Sequence, residues 1–127
     1  MNRRLFLVPG VVVLFGLALF VAAFGPPAAP SGVAAVSCFA AAGVAFLLSG
    51  LRESIRVGSS SVPWYVLAGV GDVALALGLL VNGVVMVTHG GGTLVTALPV
   101  AGSALFLLFV GADYIRGGVH FDVSVFE

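Results

Sequence analysis

The chain has 127 residues, of which 61% are hydrophobic and 8% are charged, and its net charge is zero. Soluble domains carry roughly 25% charged residues, and a chain this short could not bury so much apolar surface in water. The composition therefore predicts an integral membrane protein with the lipid bilayer as its solvent. It also excludes the basic patch that nucleic-acid binding needs, since five arginines and five acids are balanced and lysine is absent.

Four apolar runs predict four α-helical membrane spans, at about residues 5–24, 31–51, 64–87 and 93–115. Each run has roughly 20 residues or more, enough to cross a hydrocarbon core of about 30 Å at ~1.5 Å rise per residue. Each run must be a helix, because lipid offers no partner for an exposed backbone N–H or C=O group.

The breaks between the runs contain turn-forming residues. The first, 25–31, holds three prolines and ends at Ser31, which can cap the second span. The second, 52–63, holds three charges and a run of serines, and the third, 88–92, holds three glycines before a possible cap at Thr93. Short turns place sequential spans side by side. The predicted fold class is all-α: a polytopic four-transmembrane-helix up-down bundle built of two helical hairpins, spanning residues 1–116.

The arginines predict the orientation of these spans. They precede the first span, lie between the second and third, or follow the fourth, so all are at one end: Arg3, Arg4, Arg52, Arg56 and Arg116. The positive-inside rule makes that end cytoplasmic. We therefore expect a multi-pass protein of a prokaryotic plasma membrane with both termini in the cytoplasm. A cleaved export signal is the disfavoured alternative for the first span, because its apolar run exceeds the usual ~7–15 residues.

Asp72 is the main candidate functional residue, since it lies about 12 Å along the third span at ~1.5 Å per residue. An acid near mid-membrane costs roughly 2.5–3.5 kcal/mol and normally faces other helices. No arginine lies at this depth, so low dielectric favours the neutral carboxyl. Ser103 of the fourth span is its predicted hydrogen-bond partner. The pair forms either an intramembrane proton or cation site, or a structural contact that holds two helices together. The structural interpretation is favoured, because Asp72 is a lone acid near mid-membrane.

Small residues surround Asp72 on one face of the third span and favour close packing of helices. Asn82 lies about 80° from that face at 3.6 residues per turn, and we expect it to bond a neighbouring helix. The predicted packing residues are Ala68, Gly69, Ala76, Asn82 and Gly83.

Charged residues gather at the cytoplasmic ends of the spans and predict a solvated rim. Its predicted members are Arg52, Glu53, Arg56, Asp113 and Arg116. Beyond them, the tail 117–127 largely alternates apolar and polar residues, which is a strand pattern. A lone strand is not stable in water. We therefore favour a cytoplasmic tail that is disordered or lies on the membrane surface, over one that adds to a partner's sheet.

The remaining chemistry-bearing residues predict no metal, no cofactor and no enzymatic activity. His89 and His120 fall at opposite membrane faces and cannot share a metal within one chain. Cys38 is the single cysteine and lies in an apolar run, where a thiol behaves as a small hydrophobe. The spans contain no histidine that could activate a nucleophile, and the chain lacks a Gly-x-Ser-x-Gly motif.

Two functions remain open. The favoured one is a non-enzymatic accessory or interaction subunit, whose partners are the lipid bilayer and other membrane subunits or a second copy. The alternative is a small proton- or cation-coupled transporter using Asp72. In size and number of spans the chain is similar to the small multidrug resistance transporters. It departs from that family in having no acid in its first span, where the family places its essential glutamate.

Overall fold

The computed structural model describes residues 2–127. Most of this chain is helical, in α1 (Leu7–Phe24), α2 (Pro30–Leu51), α3 (Trp64–Thr88) and α4 (Leu94–Ile115). A short 3₁₀ helix, Arg3–Phe6, leads into α1. Within the described residues these four helices are long and apolar enough to cross a membrane, as the sequence predicts.

A β-hairpin between α2 and α3 corrects the all-α prediction. Strands β1 (Ser54–Val57) and β2 (Ser60–Pro63) pair antiparallel, with Val57 opposite Ser60. The two-residue turn begins at Gly58, whose φ of 64° suits the first position of a tight hairpin turn. Arg56, Ser60 and Ser61 of this break lie on the exposed two-stranded ribbon, where polar side chains face water.

The helix starts agree with one predicted cap and not with the other. At α4, Thr93 is the N-cap residue, and its N–H donates to Thr96 Oγ1 at 2.9 Å. At α2, Pro30 takes the first helical position and Ala29 precedes it, so Ser31 lies inside the helix and does not cap it. Proline is suited to this position because its fixed φ matches the helix and its missing N–H needs no partner.

The four helices pack in sequential order. In the described chain, extensive helix–helix contact joins α1 to α2, α2 to α3 and α3 to α4. The predicted up-down bundle of two hairpins is not confirmed, because α2 and α3 join the hairpins while α1 and α4 make no comparable contact in residues 2–127. Burial is therefore concentrated in α2 and α3. Of the described α1 residues, Gly10 alone is buried.

Glycine allows the closest approach between helices, where α3 crosses α4. A Cβ atom on Gly111 would lie 2.7 Å from the Gly69 carbonyl oxygen, so the two backbones touch. On the other side of α3, Gly71 and Gly78 receive the rings of Phe46 and Phe39 from α2. Small residues thus hold the row together through van der Waals contact, which drives helix association in lipid.

Gly111→Ala is expected to destabilise the protein by about 1–3 kcal/mol, as overpacking does in a close-packed interior. The added methyl group would meet backbone of α3, which cannot rotate away. Gly102→Ala is the matched control on the same helix, since a Cβ there meets nothing within 4 Å. In thermal unfolding of the monomer in detergent, Gly111→Ala should lower Tm, and the control should leave it unchanged or raise it. Equal shifts for both variants would contradict the close contact.

Candidate functional site

Asp72 lies inside the helix row, on the side of α3 that packs against α4. It is 8% exposed, and a Cβ on Gly111 would lie 3.0 Å from the Asp72 Cβ atom. Ala68 and Ala76, one turn before and one turn after it, are fully buried, and Gly69 is buried beside them. The structure therefore brings these four residues to one packed face.

Ser103 does not meet Asp72, which corrects the predicted pairing. Contact between Gly69 and Gly111 sets an antiparallel register that places Asp72 near the turn of Leu108, about 7.5 Å along α4 from Ser103 at ~1.5 Å per residue. The neighbouring Ala104 is fully buried, whereas Ser103 is exposed on the outer side of α4. Within residues 2–127 no side-chain hydrogen bond is formed by Asp72.

The two remaining predicted packing residues lie farther toward the C-terminal end of α3. Gly83 is half-buried, and a Cβ there would make ordinary contact with Val100 of α4 at 3.4 Å. Asn82 is exposed and lines a cavity between α1, α2 and α3. In the part of the chain that the structure describes, its amide forms no bond to a neighbouring helix.

Most of the predicted rim is exposed. The exposed members are Arg52, Glu53, Arg56 and Arg116. Glu53 forms an ion pair with Arg3, at 2.9 Å between Oε1 and Nη1. This pair is worth little because both partners are accessible to water.

Asp113 was predicted to lie on the solvated rim, but it is buried, with 3% of its surface exposed. Its carboxylate accepts backbone hydrogen bonds from the N–H groups of His120, at 3.0 Å, and Phe121, at 2.9 Å. The His120 ring lies 2.8 Å away through Nδ1 and donates when that nitrogen carries a proton. Hydrogen bonds to a charged acceptor are roughly twice as strong as neutral ones. Asp113 therefore binds the C-terminal tail to the end of α4.

Two glycines turn the chain back toward Asp113. Gly117 and Gly118 follow α4 with φ of 89° and 78°, in the region where side chains are strained. The N–H of Gly118 donates to the Asp113 carbonyl at 2.9 Å, which satisfies one of the free carbonyls at the helix end. This reversal is what carries residues 120 and 121 to the buried carboxylate.

Aromatic rings hold the tail across the end of the row that carries the arginines. Phe126, in a 3₁₀ turn at Val123–Phe126, has its ring centroid 5.4 Å from that of Phe6 and 6.2 Å from that of Trp64. Phe121 packs edge-to-face on Phe109 at 6.0 Å. The tail therefore has a defined conformation against the helices, which corrects the expectation of a disordered tail. The alternating residues do not form a strand, because their aromatic rings find partners on helices that are distant in sequence.

Asp122 stabilises the last turn of the tail. Its Oδ1 atom accepts from the Ser124 hydroxyl at 2.6 Å and from the Ser124 N–H at 2.9 Å. These hydrogen bonds hold the pKa of Asp122 below its usual range. The carboxylate is therefore ionised at neutral pH, and its contribution to the turn is lost as pH falls through that lowered pKa.

The histidines and the cysteine are not gathered into one place. His89 bonds locally, with Nδ1 3.0 Å from Thr88 Oγ1, at the end of α3 opposite to His120. Cys38 is half-buried in α2. Across the described residues, no group of three or more His, Cys, Asp or Glu side chains could hold a metal ion.

These features define a membrane protein of four apolar helices with an acid inside the row and a tail bound across one end. A family model matches residues 1–127, and the chain belongs to this family, the family of unknown function DUF7994. No curated protein matches the chain. No solved structure matches it either.

Sequence reasoning missed the role of Asp113 as the anchor of the tail. Its nearness to the arginines at the end of a span suggested a solvated acid. Two signals in the sequence point the other way: the Gly117-Gly118 pair permits a chain reversal, and Phe121 and Phe126 are too apolar for a solvated tail.

Asp113→Ala is expected to release the tail. Each hydrogen bond to a charged group is worth about 1.5–3 kcal/mol, so docking should weaken at least about tenfold. Trp64 reports this change because it is the single tryptophan, is 4% exposed and contacts Phe126. Iodide quenching of its fluorescence should increase in Asp113→Ala. Glu127→Ala, an exposed acid in the same tail, is the control. Unchanged quenching in Asp113→Ala would show that Asp113 does not anchor the tail.

Proposed function

We propose that the protein is a non-enzymatic accessory or interaction subunit of the membrane, which associates through the outer face of α4. The observation that carries this proposal is an unpartnered small and polar surface on that face. Pro99, Gly102, Ser103 and Phe106 are exposed and lie at the spacing of one helix face. A Cβ on Gly102 meets nothing within 4 Å, and the Ser103 hydroxyl forms no hydrogen bond within residues 2–127.

A small residue beside a hydroxyl is the surface that transmembrane helices use to approach one another. Glycine lets two backbones come close, and a serine hydroxyl can bond across the interface. In lipid, this contact would give the Ser103 hydroxyl the partner that the acyl chains cannot offer. The arrangement of the helices supports the proposal. In residues 2–127, α4 lies at the edge of the row and packs extensively against α3 alone, so its outer face has no helix partner. The simplest partner is a second copy.

Two further features belong to the proposal. The first is the up-down arrangement of the hairpins α1–α2 and α3–α4, which the α2–α3 contact joins into one bundle in the membrane. The second is the orientation in a prokaryotic plasma membrane, with both termini in the cytoplasm. It is supported by the arginines together with the Arg3–Glu53 and Phe6–Phe126 contacts, which gather the N-terminus, the hairpin and the tail at one end.

Self-association should depend on Gly102 and Ser103. Labelled protein in liposomes is titrated by resonance energy transfer against the protein-to-lipid ratio. Gly102→Leu should raise the apparent Kd by about tenfold, because bulk in a close contact costs about 1–3 kcal/mol. Ser103→Ala should raise it about threefold, the value of an interhelical hydrogen bond of ~0.6 kcal/mol.

Gly16→Leu on α1 is the matched control for this titration, because a Cβ at Gly16 also meets nothing within 4 Å. It should leave the apparent Kd at the wild-type value. A Gly102→Leu protein that associates as well as wild type would rule out this face as the interface.

The orientation is tested by cysteine labelling in a Cys38→Ala background. A membrane-impermeant maleimide added to intact cells should label Gly91→Cys, in the turn between α3 and α4. It should label Ser60→Cys, in the hairpin, only after the membrane is permeabilised. The reverse pattern would contradict cytoplasmic termini.

A second candidate function is a small proton- or cation-coupled carrier that uses Asp72. The observation that favours it is a buried carboxyl with no hydrogen-bonded partner among the described residues. Tyr114 lies within electrostatic range of Asp72, and its ring contacts Phe6 at 6.2 Å at the cytoplasmic end. The favoured proposal differs in treating Asp72 as a packed, neutral residue that stabilises the α3–α4 contact.

Asp72→Asn separates the two functions. In liposomes with an imposed pH gradient, the interaction-subunit proposal expects wild type and Asp72→Asn to give the same proton and cation flux, at the background of empty liposomes. The control is Asp122→Asn, an acid of the tail outside the spans. Flux above background that Asp72→Asn abolishes and Asp122→Asn preserves would establish the carrier instead.

A further inference from the structure

A cavity of about 660 Å³ lies between α1, α2 and α3, in the half of the row away from the arginines. Its walls are apolar side chains such as Leu17 and Phe20 of α1, Phe39 of α2 and Leu75 of α3. The turn at Pro26 and Pro27 forms its outer end. The volume falls within the roughly 300–1,000 Å³ of pockets that bind small ligands.

The length of the cavity matches one leaflet of a bilayer. Its lining on α1 runs from Val12 to Phe24, which is about 18 Å at ~1.5 Å per residue. Half of a hydrocarbon core of about 30 Å is ~15 Å. Val12, Phe20 and Phe24 are at least half exposed, so the cavity opens toward the lipid side of α1. Its shape therefore suits a single flexible apolar chain that lies along the helices.

An acyl chain is narrow enough to lie along the helices in this space, and acyl chains are the molecules that surround α1 in a membrane.

Asn82 is the one polar side chain among the residues that line the cavity. It lies six residues before the end of α3 at Thr88, about 9 Å at ~1.5 Å per residue, and thus toward the outer headgroups. An asparagine amide offers two donors and one acceptor oxygen, and in the described chain this amide bonds to no other residue. A donor at the headgroup end of an apolar cavity suits the ester carbonyl of a glycerolipid.

We propose that this cavity binds one glycerolipid of the outer leaflet. One acyl chain lies between α1, α2 and α3, and the Asn82 amide donates a hydrogen bond to the ester carbonyl. The assignment to the outer leaflet rests on the proposed orientation, whereas the binding itself requires only that the helices span the membrane. The site is separate from the α4 face and from Asp72, so it goes beyond the proposed function.

Photo-crosslinking in liposomes tests the site. The probe is a phosphatidylcholine with a diazirine in one acyl chain, and the labelled peptides are identified by mass spectrometry. Wild type should be labelled on the α1, α2 and α3 residues that line the cavity. Gly16→Leu should reduce that labelling about tenfold, since its side chain occupies cavity volume and a Cβ there meets nothing within 4 Å.

Gly102→Leu is the matched control, because it adds the same side chain at an open glycine of α4 outside the cavity. It should leave cavity labelling unchanged even where it weakens self-association. Failure of the lipid proposal can therefore be distinguished from failure of the self-association proposal. Thermal unfolding of each variant confirms that it is folded before labelling is compared.

Asn82→Leu tests the recognition of the ester. It should reduce labelling by the phospholipid about 2- to 10-fold, the worth of one neutral hydrogen bond. It should leave labelling by a diazirine alkane without an ester unchanged. Label spread evenly over α1 and α4, or cavity labelling that persists in Gly16→Leu, would overturn the proposal. An equal effect of Asn82→Leu on both probes would show that Asn82 does not bind the ester carbonyl.

Discussion

Backbone contact between α3 and α4 is the constraint on which the rest of the molecule depends. Helices in lipid gain no hydrophobic free energy by associating, because the lipid tails are as apolar as the helices. Their association depends instead on close van der Waals contact. Gly69 and Gly111 permit that contact because neither has a Cβ atom. The contact sets the register of the two helices. Through it, Asp72 lies against the backbone of α4, and Ser103 faces outward.

The same register also determines the structure at the end of the row that carries the arginines. Asp113 lies less than one turn beyond Gly111, and there the reversal at Gly117 returns the tail to the helix. The buried carboxylate gives the tail a fixed point, and the rings of Phe121 and Phe126 add apolar contact on either side of it. An acid that would be costly to bury alone is satisfied by backbone donors. The tail is thereby part of the folded structure.

The end of the row away from the arginines is built differently. Helix α1 meets α2 closely at Gly10 and Gly43, and the two helices leave a cavity toward the turn at Pro26. The row is thus closely packed at the arginine end and open at the other end. The proposed self-association on α4 and the proposed lipid site beside α1 can then be altered separately, because the helices concerned are the opposite edges of the row.

Sequence alone determined the four helices, since apolar length and the backbone's need for hydrogen bonds leave one solution in lipid. It also indicated the buried face of Ala68, Gly69, Asp72 and Ala76, because helical periodicity places them together. It could not determine which α4 residues meet that face. This depends on the register set by Gly69 and Gly111, which turned Ser103 away. Only tertiary structure decided the fate of Asp113 and the tail. Their partners are seven or more residues apart or on other helices, and no local pattern encodes such contacts.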